Sequence, residues 1–264
     1  MSIFKRDLAP ISKEIWSEID ERAKDVFNSY LSARKVVNFI GPFGIDYNVL
    51  SEGRIAVEES KEGVNFGIYK VKPLVEQRID FELNRWELDN IFRGAKDIDF
   101  SPLEDAVKRA ALFEENAIYN SLSQANIKGI IQTSSNKIEF GNSSSEIMES
   151  LAKGILELRS SYVKSDLVLI VGPDNWKKIN KFSDNYPLKK KIEESLGTKI
   201  ILSHVLDGAI LMPLKHEDIE LIVGQDFSIG YHNCTEDKIK FFIMESFTFR
   251  ILDPDIIVKF EWYF

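Results

Sequence analysis

The chain has 264 residues, 44% of them apolar and 29% charged, and a formal net charge of −8. That length allows one large domain or two small ones with room for a core, the composition argues against extensive disorder, and no apolar run approaches the roughly 18 residues of a membrane helix. The acidic balance argues against nucleic-acid packaging, which needs a basic arm or patch, because even the densest basic stretch, Lys189-Lys190-Lys191, is followed by Glu193 and Glu194.

The first residues carry Lys5 and Arg6 but then Asp7, with no long apolar region behind them, so no signal peptide is expected. A single cysteine, Cys234, cannot form an intramolecular disulfide, and a reducing cytoplasm is the expected compartment. Ser12 reads as the N-cap of a helix of about six turns, with Glu14 in its first turn. Ile15, Ile19, Ala23, Val26 and Tyr30 recur along it at helical spacing, beside Trp16, Phe27 and Leu31. Gly41-Pro42-Phe43-Gly44 is the expected stop. Residues 54–60 and 64–70 read as a hairpin around Lys61-Glu62-Gly63 whose polar and apolar residues alternate, so burial within its own subunit is expected to be poor. Residues 73–83 continue as a strand.

Ser101-Pro102-Leu103-Glu104 reads as a capping box opening a long helix, with Leu103, Val107, Ala110, Ala111, Ile118 and Leu122 on its stripe. Ser143 and Glu146 form a second box before a helix with Ile147, Leu151, Ile155 and Leu158 inward. Then come a buried strand at Leu167–Val171, a turn at Gly172-Pro173-Asp174-Asn175 into a helix with Trp176 and Ile179, and a helix over Tyr186–Leu196. Strands follow at Ile200–Leu202, Ala209–Met212, Ile219–Val223 and Ile239–Leu252. Strands dispersed among helices, without strict βαβ order, make the fold class α+β.

Catalytic chemistry is sparse. His204, His216 and His232 are far apart in sequence, and His232-Asn233-Cys234 is a lone pair of metal-ligating residue types, so no metal site is expected. Glu114 and Glu115 lie on the long helix, but no helix carries the Glu-x-x-His pairs of a ferroxidase. No P-loop, dinucleotide fingerprint or nucleophile elbow is present. Cys234 has no base positioned beside it by spacing, and the acid pairs Glu87/Asp89 and Asp97/Asp99 would need a cleft to act. No catalytic residue is expected.

Four segments carry a resemblance: Phe4-Lys5-Arg6-Asp7-Leu8-Ala9-Pro10-Ile11, Trp86-Glu87-Leu88-Asp89-Asn90, Gly224-Gln225-Asp226-Phe227-Ser228-Ile229-Gly230-Tyr231 and Glu245-Ser246-Phe247-Thr248-Phe249. In this order they resemble the family 1 encapsulins, shell proteins with the phage major-capsid (HK97-type) fold. The resemblance implies a homo-oligomeric icosahedral shell with a peripheral domain (1–48, 76–128 and 224–264), an extended loop (49–75) and an axial domain (129–223). It implies that a cargo protein docks through its C-terminal targeting peptide at Phe27, Leu31, Arg34, Asp226 and Ile229. Asn38 belongs to the same set but departs from the acidic residue expected there. Some relatives stack a flavin on the tryptophan matching Trp86, so FMN or riboflavin is an optional cofactor and none is required. Ser183, Asp184, Asn185 and Tyr186 match a pore-lining loop, where a carboxylate ring would favour cations. The expected cargo is a ferritin-like protein for iron oxidation and storage. A dye-decolorising peroxidase is the alternative cargo. A phage or prophage capsid protein and a flavin enzyme using Trp86 are the rival functions. Neither nucleic acid nor membrane is an expected partner.

Overall fold

A computed structural model describes residues 3–59, 63–181 and 186–261. Helix α1 spans Lys13–Tyr30, and the Ser12 hydroxyl accepts from the Ile15 N–H as expected of a cap. It ends at Tyr30, well before Gly41: a single turn at Ala33–Lys35 and strand β1 (Asn38–Ile40) intervene. The apolar stripe therefore belongs to a shorter helix, and its continuation, Val36 and Val37, is buried in non-helical chain.

Among the described residues, strands β2 (Val49–Glu59) and β3 (Asn65–Pro73) pair only with each other, forming a separate two-stranded sheet. β4 (Val75–Asn84) leads into α2 (Arg85–Phe92), which Asn84 caps by accepting from the Trp86 N–H at 2.8 Å. Helix α3 (Ser101–Tyr119) starts differently from the expected box. The Asp99 carboxylate accepts from both the N–H and the hydroxyl of Ser101, at 3.0 and 2.5 Å, while Glu104 turns to Arg22 of α1. An aspartate two residues upstream offers a charged acceptor, and it displaces the serine from the cap.

After α4 (Ile130–Thr133) and β5 (Asn136–Glu139), helix α5 (Ser144–Ser160) begins under the expected Ser143 cap. Its Glu146 accepts from the Asn142 N–H, one residue outside the box. The rest of the chain gives β6 (Leu167–Val171), α6 (Pro173–Lys181), α7 (Leu188–Leu196) and β7 (Lys199–Leu202). It continues with β8 (Ala209–Pro213), β9 (Ile219–Val223), β10 (Ser228–Cys234), β11 (Lys238–Ile251) and β12 (Val258–Glu261). α7 starts at Leu188, because Pro187 serves as its N-cap.

The first sheet runs β1-β9-β11-β10, with β4 on the other edge of β11. The second runs β5-β12-β8-β6-β7. β9 thus joins the first sheet and the final strand β12 joins the second, where it runs parallel to β5 and antiparallel to β8. β11 is the spine of the first sheet: its Phe241–Phe249 stretch is buried at every position. Such continuous burial is what a strand covered on both faces requires. One core packs α1 and α3 on β4, β10 and β11, and the other wraps the second sheet and extends to Phe247 and Phe249. α3 serves both cores, with Leu103 to Ala110 in one and Ala117 to Tyr119 in the other.

Candidate functional site

The last turns of α1 and the first residues of β10 face each other across a cavity of about 570 Å³. Phe27, Leu31, Arg34, Asp226 and Ile229, drawn from positions 200 residues apart, all line it. The N-terminal segment closes one side. Phe4 accepts from the Tyr231 N–H at 2.8 Å, and Arg6 lies 3.9 Å from the centre of the Trp16 ring while pairing with Asp20. Asn38 is not among the residues around the cavity; it stands in β1, paired in register with Glu220 of β9.

The walls are aromatic and apolar. Phe27 stacks on Phe227 with ring centres 4.2 Å apart, and the Arg34 guanidinium lies 4.7 Å over the same Phe227 ring. Lys24, Lys35 and Asp226 also line it. The cavity is therefore an apolar slot whose lining also carries charges of both signs.

Beneath it lies a polar network that the sequence reading missed. Arg34 donates to Asp226 at 2.8 Å, to Glu114 at 2.7 Å and to Glu245 at 2.5 Å. Glu114 and Glu245 are fully buried, and Gln77 donates to the far oxygen of Glu245 at 2.6 Å. Burial opposes the Arg34 charge, but the three carboxylates outweigh it and hold the guanidinium above its ordinary range. Burial and the Glu114 charge push Glu245 well up, against the pull of Arg34 and Gln77. A second buried group follows on α3: Glu115 accepts from Ser32 at 2.5 Å and from the Ala33 N–H at 2.7 Å. Burial pushes Glu115 up to about 7, with the hydrogen bonds opposing and Glu114 adding to it. The two glutamates thus pin the turn that carries Arg34 and pin Arg34 itself. The signal for this was present in the sequence, since Glu114 and Glu115 interrupt the apolar stripe of α3 between Ala111 and Ile118.

The Gly224–Tyr231 segment has a structural reason for its residues. Ser246 accepts from the Gln225 N–H through its hydroxyl, Asp226 accepts from the Phe227 N–H, and Gly230 faces the Phe242 ring so closely that a Cβ would sit 2.3 Å from it.

Trp86 is 66% exposed on α2, with the Arg93 guanidinium 5.7 Å from its ring. Its neighbours Glu87 and Asn90 bond to each other, and Glu87 also accepts from the Asp99 N–H, so they fasten the loop before α3. Tyr186 is exposed and donates to Glu194, while Ser183, Asp184 and Asn185 lie outside the described residues. The histidines stay apart: His204 packs on Tyr30, His216 accepts from the Asp218 N–H, and His232 is exposed on β10.

Two sheets, a long helix between two cores and a free-standing hairpin define a capsid-type subunit. A virus-like particle from Pyrococcus furiosus is similar over 94% of this chain and 100% of its own, with a TM-score of 0.66 at 19% identity. The capsid of Myoviridae phage XM1 is similar over 88% of this chain and 92% of its own, with a TM-score of 0.55 at 8% identity. A profile of the family described as encapsulating protein for peroxidase matches residues 1–248. A type 1 encapsulin shell protein of Rhodococcus erythropolis is 32% identical over 262 residues, 98% of this chain and 99% of its own. The chain belongs to the type 1 encapsulin shell proteins.

Proposed function

We propose that this protein is the non-catalytic wall of a closed icosahedral compartment in the cytoplasm, and that the cavity between α1 and β10 receives the C-terminal peptide of an enclosed enzyme. The observation that carries the assembly is the β2–β3 hairpin. Ile55, Val57 and Tyr69 are exposed on one of its faces and Phe66 and Ile68 on the other, as the register Ile55↔Tyr69 and Ala56↔Ile68 requires. A hairpin on a monomer keeps at least one polar face. Apolar residues exposed on both faces call for neighbouring copies, and a closed symmetric shell repeats that contact throughout.

For the docking, Phe27, Leu31, Phe227 and Ile229 offer slots for aliphatic side chains, and Arg34, Lys24, Lys35 and Asp226 offer charges to the peptide's ends. Leu31→Asp places a charge in the slot. Shells of this variant should form normally but lose cargo on co-purification from the host, and full cargo retention would refute the docking site. The proposed cargo is a ferritin-like iron oxidase, on the strength of the sequence resemblance; a peroxidase is the second reading, favoured by the family's description. Mass spectrometry of the co-purified protein decides between them.

Trp86 fits an optional flavin in one respect, an exposed indole face with a cation beside it. Flavin absorbance in purified shells that disappears in Trp86→Ala would establish it. The net charge of −8 supports a shell that packages no nucleic acid. Among the described residues no helix is long and apolar enough to cross a membrane, and none is proposed as a partner.

A further inference from the structure

A second cavity, of about 350 Å³, opens at the base of the hairpin where β2 and β3 meet the end of β11 and the end of α4. It lies apart from the α1–β10 cavity and shares no residue with it. Four cationic side chains line it: Arg54 from β2, Lys72 from β3, Lys128 from the loop before α4, and Arg250 from β11. Two carboxylates stand near them, Glu52 in the lining and Glu220, which pairs with Arg250. The local excess is therefore positive, in a chain whose net charge is −8.

Lys72 is the telling member. It is only 8% exposed, and its ammonium donates to the Asn126 carbonyl at 2.5 Å, with no ion-pair partner among the described residues. Burial holds it below the usual lysine range; Arg250 and Lys128 add to that effect and Glu52 opposes it. A largely buried ammonium beside two further cations, with Glu52 opposing them, is stabilised by any added negative group. Thr133, also in the lining, keeps a buried hydroxyl with no hydrogen-bond partner among the described residues. The hairpin register shifts between Ser51 and Arg54, the kind of irregularity that re-aims a side chain beside a site.

We propose that this cavity binds a phosphate-class oxyanion. Donors arriving from four separate elements suit a tetrahedral ion, which has acceptor oxygens in every direction. A carboxylate entering on a side-chain stem presents its two oxygens to one side only. The ion would neutralise the Lys72 cluster and tie the base of the hairpin to the first sheet.

The test is isothermal titration of purified wild-type particles with inorganic phosphate in low-salt chloride buffer. Saturable binding is expected, weakened about tenfold or more in Lys72→Met and in Arg54→Gln, where each loses a charge-assisted bond. Arg54 is exposed, so the second variant stays informative if the first folds poorly. Lys70→Met, on the same strand but outside the cavity, should bind phosphate as wild type does. Absence of saturable binding would overturn the proposal; so would binding that survives both lining substitutions. Particles that bind no phosphate but lose integrity when Arg54 is replaced would point to a neighbouring copy's carboxylate as the occupant, which also overturns it.

Discussion

Arg34 joins the cavity wall to the interior through three carboxylates, two of them without solvent exposure. Removing one partner of a buried ion pair leaves the other charge uncompensated, at a cost of about 3–5 kcal/mol. Arg34→Met keeps the apolar stem but strands Glu114 and Glu245, so its unfolding free energy from urea titration should fall by that order relative to wild type, with a lower midpoint. Arg34→Lys should fall in between, since an ammonium cannot fork to three carboxylates; an unchanged midpoint in both would show that the network contributes nothing. Glu115 makes a prediction about pH. It is pushed up from its ordinary 4.5 to about 7. Between those values the folded chain keeps a proton that the unfolded chain has lost, so the stabilisation present below pH 4.5 is lost as pH rises to about 7, an amount of about 3 kcal/mol. Glu115→Gln can still accept from Ala33 and donate to Ser32. The variant should gain on wild type in urea midpoint as pH rises through that window, and parallel pH profiles would contradict the assignment.

At the scale of elements, the proposed assembly rests on the hairpin. Val57 on one face and Ile68 on the other are both largely exposed in the single chain, so a charge at either place disturbs nothing inside the subunit. The pair Val57→Asp and Ile68→Asp should give a subunit with wild-type circular dichroism that no longer forms particles by light scattering. Particles of normal size from this variant would remove the hairpin from the interface. The hairpin was legible in the sequence because alternation and the Gly63 turn are local signals. The end of α1 was not. Val36 and Val37 are apolar and buried whether the chain is helical or not, so periodicity could not place the end at Tyr30. The cap of α3 was misplaced for a similar reason: Asp99 and Ser101 can each cap a helix, and only geometry shows which carboxylate or hydroxyl faces the free N–H groups.

For the whole molecule, the two-sheet arrangement depends on pairings that sequence patterns do not encode. β9 and β12 are strands of only five and four residues with no local signal of their partners, yet one joins the first sheet and the other the second. The convergence of Phe27, Leu31, Arg34, Asp226 and Ile229 was legible through resemblance, because the two segments carry it in their residues. The resemblance puts Asn38 in the same set, but strand β1 pairs it in register with Glu220, outside the lining of the cavity. The buried carboxylates escaped because acidic residues on a helix ordinarily face water, and only their position inside an apolar stripe marks them. The proposed function requires self-assembly into a closed shell. Expressing the chain alone and measuring particle size by negative-stain microscopy with light scattering tests it most directly. Uniform hollow particles without a nucleic-acid absorbance excess are the predicted result; a stable monomer or small oligomer would contradict it.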